Sequence, residues 1–214
     1  MFDAALEFDR QVRVLDELDY PALAGLTPEA FTDLVTPLRE KAVARTHEEP
    51  TRERVPFLLV LAPGMVRPEQ TVPHLTLAGK AKSGVIDRHF KEGELKNFVP
   101  IEGLPVPTTG AYLAFGIDRG PEFLNVTPDE AMPTIAERGR TPLTMEEGIA
   151  FATLFPESLE PNNCWMMPGS RCGDRRVPAV WISDKAPKLG WCWAGNRHTW
   201  LGIASCADRV TTSS

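Results

Sequence analysis

Apolar residues follow two different repeats along this 214-residue chain, and the change between them constrains the fold. Over residues 5–15 they recur every three or four positions, which is typical of one buried face of an α-helix. Over residues 110–117 they occupy every second position, which is typical of a strand with one buried face. The sequence therefore predicts an α+β protein with N-terminal helices, a mixed or antiparallel sheet and a Trp-rich antiparallel β-meander at the C-terminus.

Capping residues mark three further helix starts. Thr27 suits the N-cap position, Pro28 the first helical position and Glu29 the positive end of the helix dipole. Thr127 and Thr144 each precede a glutamate by three positions, which is the spacing of a capping box. A helix is therefore predicted to begin after each of these threonines.

The rest of the chain is divided by apolar runs and by 20 prolines, which favour loops and short strands. Residues 55–61 predict a buried strand, and residues 72–77 predict a weaker strand that Pro73 places at an edge. We expect residues 1–50 to form a helical segment and residues 51–214 to form an α+β body, together one compact domain.

Charge and hydropathy exclude some classes of protein. The formal net charge of −6 gives no global basic surface, so bulk binding of nucleic acid is not expected. The N-terminus lacks the pattern of a signal peptide, and no apolar run approaches the roughly 18 residues of a membrane span. We therefore expect a soluble protein of the cytoplasm, without a membrane partner, whose cysteines stay reduced.

All five tryptophans and all four cysteines lie between residues 163 and 206, the predicted meander. Its strands are predicted at residues 177–183, 189–195 and 198–206. The connections between them are short enough for hairpins.

If these loops set the register, Trp181 lies opposite Trp191, and Trp193 lies opposite Trp200. Because side chains alternate between faces along a strand, the four rings then share one face, with His198 at its end. We call this predicted surface the Trp wall. It is either a stacking surface for a planar or sugar-like ligand or a second layer of the core.

Residues 168–176, here called the Arg/Gly loop, precede the meander. Gly169 and Gly173 free the backbone to form an anion-binding nest, and three arginines nearby are donors for phosphate or carboxylate. These arginines are Arg171, Arg175 and Arg176. The alternative is a polar turn whose arginines pair with acidic groups of the surface.

The sequence predicts no metal site and no cofactor. Structural zinc sites favour cysteines separated by two to four residues. Here Cys164 and Cys172 are eight positions apart, and Cys192 and Cys206 are fourteen apart.

Three side chains are candidates for catalysis. His198 is a candidate general acid or base, because the unperturbed pKa of histidine is close to neutral pH. Asp174 would orient it or act as a second acid/base group. Cys172 is a candidate reactive thiol, because neighbouring guanidinium groups favour a thiolate; the alternative is an unreactive loop cysteine.

The chain resembles a family of uncharacterised actinobacterial proteins. The resemblance is specific in the C-terminal half, in residues 168–179, 190–196 and 198–202, and it extends more weakly to residues 125–129 and 139–144. It implies an actinobacterial, cytoplasmic protein and brings no activity and no functional residues.

Three functions remain open. The first is binding of a planar or sugar-like anionic ligand by the Trp wall and the Arg/Gly loop. The second is an enzyme in which His198 acts as general acid or base in the same cleft. The third is a scaffold that docks another protein on its tryptophan face.

Overall fold

The computed structural model describes residues 2–212, and it confirms the α+β class. The helices are α1 Ala4–Glu17, α2 Tyr20–Leu23, α3 Pro28–Val43, α4 Pro68–Thr71, α5 Pro128–Glu137 and α6 Met145–Leu154. The strands are β1 Arg54–Leu61, β2 Val85–Ile86, β3 Val99–Pro100, β4 Ala111–Asp118, β5 Thr141–Pro142, β6 Cys164–Met166, β7 Ser170–Arg171, β8 Arg176–Ser183, β9 Ala186–Trp193, β10 Leu201–Ile203, β11 Ser205–Cys206 and β12 Asp208–Val210. Short 3-10 turns occupy Val72–His74, Leu95–Asn97, Pro121–Phe123 and Pro156–Ser158.

The three predicted helix starts are confirmed by their hydrogen bonds. The hydroxyl of Thr27 accepts from the amide of Ala30 at the start of α3. Thr127 and Thr144 each form a complete capping box at the starts of α5 and α6, in which the glutamate at the third helical position accepts from the threonine amide. Local sequence therefore fixes where these helices begin.

The first sheet is antiparallel and has the order β1-β4-β11-β5, with β12 also paired to β4. Nearly every residue of β1 and β4 is buried, because helices α1 and α3 pack on this sheet and α6 packs on β1. Gln11 of α1 also covers the outer edge of β1. Its amide donates to the carbonyl of Phe57 and accepts from the amide of Leu59, at 3.0 and 2.7 Å. This contact blocks pairing of another chain with the edge.

The second sheet is mixed and has the order β10-β6-β8-β9-β2. Helix α6 packs on both β1 and β8, so it lies between the two sheets and is buried on nearly all sides. Gly148 permits the close approach, because a Cβ at this position would lie 1.9 Å from Sδ of Met167. Beside it, the rings of Phe151 and Trp165 are 4.7 Å apart between centroids.

The weaker strand prediction for residues 72–77 is wrong. Val72–His74 forms a 3-10 turn that follows α4 directly. Pro73 occupies its first turn, where the missing amide hydrogen and the fixed φ of proline are tolerated.

The predicted register of the first hairpin of the meander is also wrong. The β8–β9 hairpin closes through only two residues, Asp184 and Lys185, whose φ values of 51° and 62° are those of a type I′ turn. As a result Trp181 pairs with Lys188 and not with Trp191, a shift of three positions. Because the shift is odd, it moves Trp191 to the opposite face from Trp181.

The second predicted hairpin does not form. After β9 the chain crosses to the far side of the sheet, where β10 pairs in parallel with β6. Trp200 precedes β10, and its carbonyl accepts from the amide of Cys164. Trp193 and Trp200 are therefore not opposite each other, and the region is one hairpin followed by a crossover.

Candidate functional site

The rings predicted to form the Trp wall lie in two separate clusters. Trp191 and Trp193 contact each other edge to face on one side of the β8–β9 hairpin, with centroids 5.0 Å apart. Trp181 is on the other side, 6.0 Å from Trp200. A flat ligand therefore cannot stack on the four rings together, and the prediction of a common face is wrong.

His198 belongs to the second cluster and does not meet its predicted partner. Its ring lies 5.4 Å from that of Trp200, and burial lowers its pKa. Its Nε2 atom is buried, with no hydrogen-bond partner within residues 2–212. Asp174 instead accepts hydrogen bonds from Cys172 and Arg176. The two candidate acid/base groups are therefore not hydrogen-bonded to each other.

The arginines of the Arg/Gly loop have acceptors of their own. Arg175 pairs with Asp129 at 2.6 Å. Arg176 pairs with Glu94 at 2.8 Å and with Asp174 at 2.9 Å. These contacts neutralise both guanidinium groups, which favours the alternative interpretation of the loop as a polar turn.

Arg171 is the exception, since within residues 2–212 it donates only to the carbonyls of Pro168 and Ser170. Gly169 serves packing, because its amide donates to the carbonyl of Leu143 and a Cβ would lie 2.5 Å from that oxygen. Gly173 has a φ of +84° and shapes the turn that leads to β8.

The surroundings of Cys172 do not support an activated thiol, which stays a prediction from the sequence. Burial, and then the hydrogen bond from its thiol to the carboxylate of Asp174, raise the pKa of Cys172, against a smaller lowering by Arg176. A raised pKa reduces the thiolate fraction at neutral pH. All four cysteines are free thiols. In the described part of the chain, no group of three His, Cys, Asp or Glu side chains is arranged to hold a metal.

A cleft with a volume of about 640 Å³ lies elsewhere, at the end of the first sheet where β1 begins and β4 ends. It is lined by the loop between α3 and β1, by the ends of these two strands, and by the end of α5 with the segment that follows it. Ligand sites of proteins typically have volumes of about 300–1,000 Å³. We call this the sheet-end cleft.

The C-terminal end of α5 positions two arginines of the sheet-end cleft. Gly139 has a φ of +67° and closes the helix with a Schellman motif, in which its amide donates to Ala136 and that of Arg140 donates to Ile135. Arg138 and Arg140 flank this glycine, and both line the cleft. The glycine is needed because a side chain disfavours a left-handed backbone.

Three arginines of the cleft differ in their partners. Nε of Arg54 donates to Asp118 at 2.8 Å, and a terminal nitrogen of Arg138 donates to Glu122 at 2.5 Å. Each of these two has therefore one carboxylate as its counterion. Arg140 has none among residues 2–212.

The guanidinium group of Arg140 is held by neutral acceptors. Its Nε donates to Oγ of Ser205 at 2.9 Å, and NH2 donates to the carbonyls of Gly116 and Ser205 at 2.6 and 3.1 Å. Gly116 has a left-handed backbone within β4, with a φ of +59°. NH1 makes no hydrogen bond in the described structure. Burial lowers the pKa of Arg140, and the negative charge of Asp118 opposes this.

Aromatic and aliphatic groups complete the cleft. His47 stacks on the ring of Phe115, with centroids 5.9 Å apart and planes 10° apart. The guanidinium group of Arg45 lies 4.0 Å from the centre of the same ring and pairs with Asp208. The other apolar side chains of the lining are Val55, Pro56, Ile117, Phe123 and Ile135.

Sequence reasoning missed this cleft because its groups come from distant parts of the chain. Arg54, Arg140 and Ser205 meet only after β1, β4 and β11 have paired. The one local signal is Gly139-Arg140 directly after a capped helix, which indicates the end of the helix but not what the arginine faces.

The fold and this cleft define an α+β protein with two sheets and a charged, ligand-sized cleft at the end of one of them. The chain belongs to DUF5701, a family of unknown function, whose model matches residues 14–212. The similarity thus starts within α1 and is not confined to the C-terminal half. Comparisons with curated proteins and with solved structures gave no match. Within residues 2–212, no helix is both long and apolar enough to cross a membrane.

Proposed function

We propose that this protein binds a small organic anion in the sheet-end cleft and that Arg140 contacts its anionic group. The observation that carries the proposal is the state of Arg140. Its guanidinium group is half-buried, is fixed by three hydrogen bonds and has no carboxylate partner in the described structure. The sequence also predicts an anionic ligand, but at the Trp wall and the Arg/Gly loop and not in the sheet-end cleft.

The physical reason is the free energy of a half-buried charge. Removing a charged group from water is unfavourable unless an opposite charge or a set of hydrogen bonds replaces the hydration. The carbonyl and hydroxyl acceptors replace part of it, and an anion at NH1 would supply the rest. A guanidinium group that is already fixed also loses little conformational freedom when a ligand binds.

The other functions expected from the sequence have weaker support. Stacking of a planar or sugar-like ligand is limited to one cluster at a time, and Arg175 and Arg176 are paired. Catalysis by His198 lacks the contact with Asp174. Docking of another protein is supported by Trp193, which is 46% exposed. An actinobacterial origin and a cytoplasmic location stay predictions, the second supported by four free cysteines.

Two variants distinguish anion binding in the sheet-end cleft from anion binding at the Arg/Gly loop. Arg140→Met removes the proposed anchor, and Arg171→Met is its matched control, because Arg171 is also half-buried and also donates only to neutral oxygens in the described structure. Binding of a panel of organic carboxylates, phosphates and sulfonates to the full chain would be measured by isothermal titration calorimetry.

For the ligands that bind, Arg140→Met is expected to raise the dissociation constant roughly 10- to 100-fold, since a hydrogen bond to a charged group contributes about 1.5–3 kcal/mol. Arg171→Met is expected to leave it unchanged. The reverse pattern would assign the site to the Arg/Gly loop. Failure of the whole panel to bind the wild-type protein would refute anion binding.

A further inference from the structure

The charges around Arg140 limit the charge of the ligand. Arg54, Arg138 and Arg140 line the cleft together with the carboxylates that pair with the first two, those of Asp118 and Glu122. The electrostatic influence of Asp118 and Arg54 on the pKa of Arg140, after that of burial, shows that these charges act on one another. Within this group of five side chains, three positive and two negative charges leave one positive charge to be compensated.

A second negative charge on the ligand would have no uncompensated arginine among these five side chains. Arg45 is paired with Asp208, and the same lining contains Glu48 and Glu53 on the loop before β1. These carboxylates would repel a dianion, whereas a monoanion at Arg140 is compensated locally.

The free donors of Arg140 also favour a carboxylate over a phosphate group. Three of its N–H bonds are already used by Ser205 and Gly116, so only NH1 is available. Its two N–H bonds belong to a single nitrogen, so Arg140 offers a ligand no fork of two nitrogens. Phosphate groups favour several donors or a bidentate fork, which this guanidinium group cannot offer alone.

Part of the remaining lining is apolar and offers contact to the body of a ligand. Phe115, Ile117, Phe123 and Ile135 contribute to it, and the volume of about 640 Å³ is far larger than a bare carboxylate needs. Ligand sites commonly combine such apolar contact with oriented polar groups.

We infer, on the basis of the proposed function, that the ligand is an organic monocarboxylate with an apolar body, whose carboxylate lies at NH1 of Arg140. Neutral analogues would lack the charge, and phosphate monoesters would carry one charge too many.

The test compares matched probes on the wild-type protein at pH 8 by titration calorimetry. The probes are acetate, phenylacetate, phenyl phosphate and 2-phenylethanol. Phenylacetate is expected to bind at least tenfold more tightly than each of the other three, because it alone combines one negative charge with an apolar ring.

Two results would overturn the inference and leave the proposed function intact. One is tighter binding of phenyl phosphate than of phenylacetate, with the affinity still dependent on Arg140. The other is equal binding of acetate and phenylacetate, which would show that the apolar lining is not used. Absence of binding by all anions, including those of the wider panel, would refute both proposals.

A substitution of Glu122 checks the charge argument independently of probe shape. Glu122→Gln removes one of the two carboxylates, and the side chain is partly exposed, so the fold should tolerate the change. It is expected to shift the preference several-fold from phenylacetate towards phenyl phosphate. An unchanged ratio would contradict the charge count.

Discussion

At the scale of single residues, the most unusual acid is Glu146 in the first turn of α6. Its Oε2 atom is buried, with no hydrogen-bond partner in the described chain, and burial raises its pKa to about 7. It lies in a small apolar pocket with Leu15, Leu59 and Ile149. Tyr20 lines the same pocket, and its hydroxyl is also buried.

The pKa of Glu146 makes stability depend on pH. An ordinary glutamate has a pKa near 4.5, so the folded state binds this proton more tightly than the unfolded state does. The resulting stabilisation is complete below about pH 4.5 and is lost as the pH rises to about 7. A pKa difference of this size corresponds to about 2–3 kcal/mol, allowing for partial exposure of the residue.

Glu146→Gln removes the titrating group and keeps the shape of the side chain. We expect the wild-type free energy of unfolding to fall by about 2–3 kcal/mol more than that of the variant between pH 5 and pH 8. Urea denaturation at both pH values would measure this, with the exposed substitution Glu92→Gln as a control. Parallel pH profiles for wild type and Glu146→Gln would show that Glu146 does not titrate in this range.

At the scale of elements, helix starts were predictable and strand pairing was not. The hydroxyl groups of Thr127 and Thr144 bond within their own first turns, so a few residues contain the whole interaction. The β8–β9 register depends on a turn whose two residues, Asp184 and Lys185, are both non-glycine with positive φ. Type I′ turns favour Asn-Gly or Asp-Gly, so the sequence Asp-Lys gave a weak signal.

The same turn leads to a prediction for the hairpin. A non-glycine residue with a left-handed backbone is strained by about 1–2 kcal/mol relative to glycine, so Lys185→Gly should stabilise the protein by up to about 1 kcal/mol. Lys185→Ala removes the charge without relieving the backbone and should not stabilise it. Denaturation midpoints of the two variants would separate the effects. Stabilisation of both variants would show that loss of the lysine charge is the cause, and not relief of backbone strain.

At the scale of the whole molecule, the candidate site and the C-terminal strand both depend on contacts between distant elements. The cleft joins β1, β4, β11 and the segment after α5, and no local pattern encodes that meeting. The sequence did predict the elements that carry it, including β4 and the capped α5. What it could not supply was the packing, because pairing between β4 and β11 depends on the whole fold.

A buried ion pair connects β12 to helix α6 and to the first sheet. Arg209 of β12 donates from two nitrogens to the carboxylate of Glu147 in α6, at 2.6 and 2.7 Å, and neither side chain is exposed by more than 2%. Arg209 also bonds Thr141 of β5, and Tyr112 of β4 donates to Glu147. The pair thus links the central helix to three strands of the first sheet.

Removing one charge of this pair should destabilise the protein more than removing both charges. Glu147→Met or Arg209→Met leaves the other charge buried without its partner, which we expect to lower the free energy of unfolding by about 3–5 kcal/mol. The double variant removes both charges, so its loss should be smaller than the sum of the two single losses by more than 1 kcal/mol. Urea denaturation of the four proteins completes the cycle. Strictly additive losses would mean that the two groups stabilise the fold independently, and the link between α6 and the C-terminal strand would then depend on apolar packing alone.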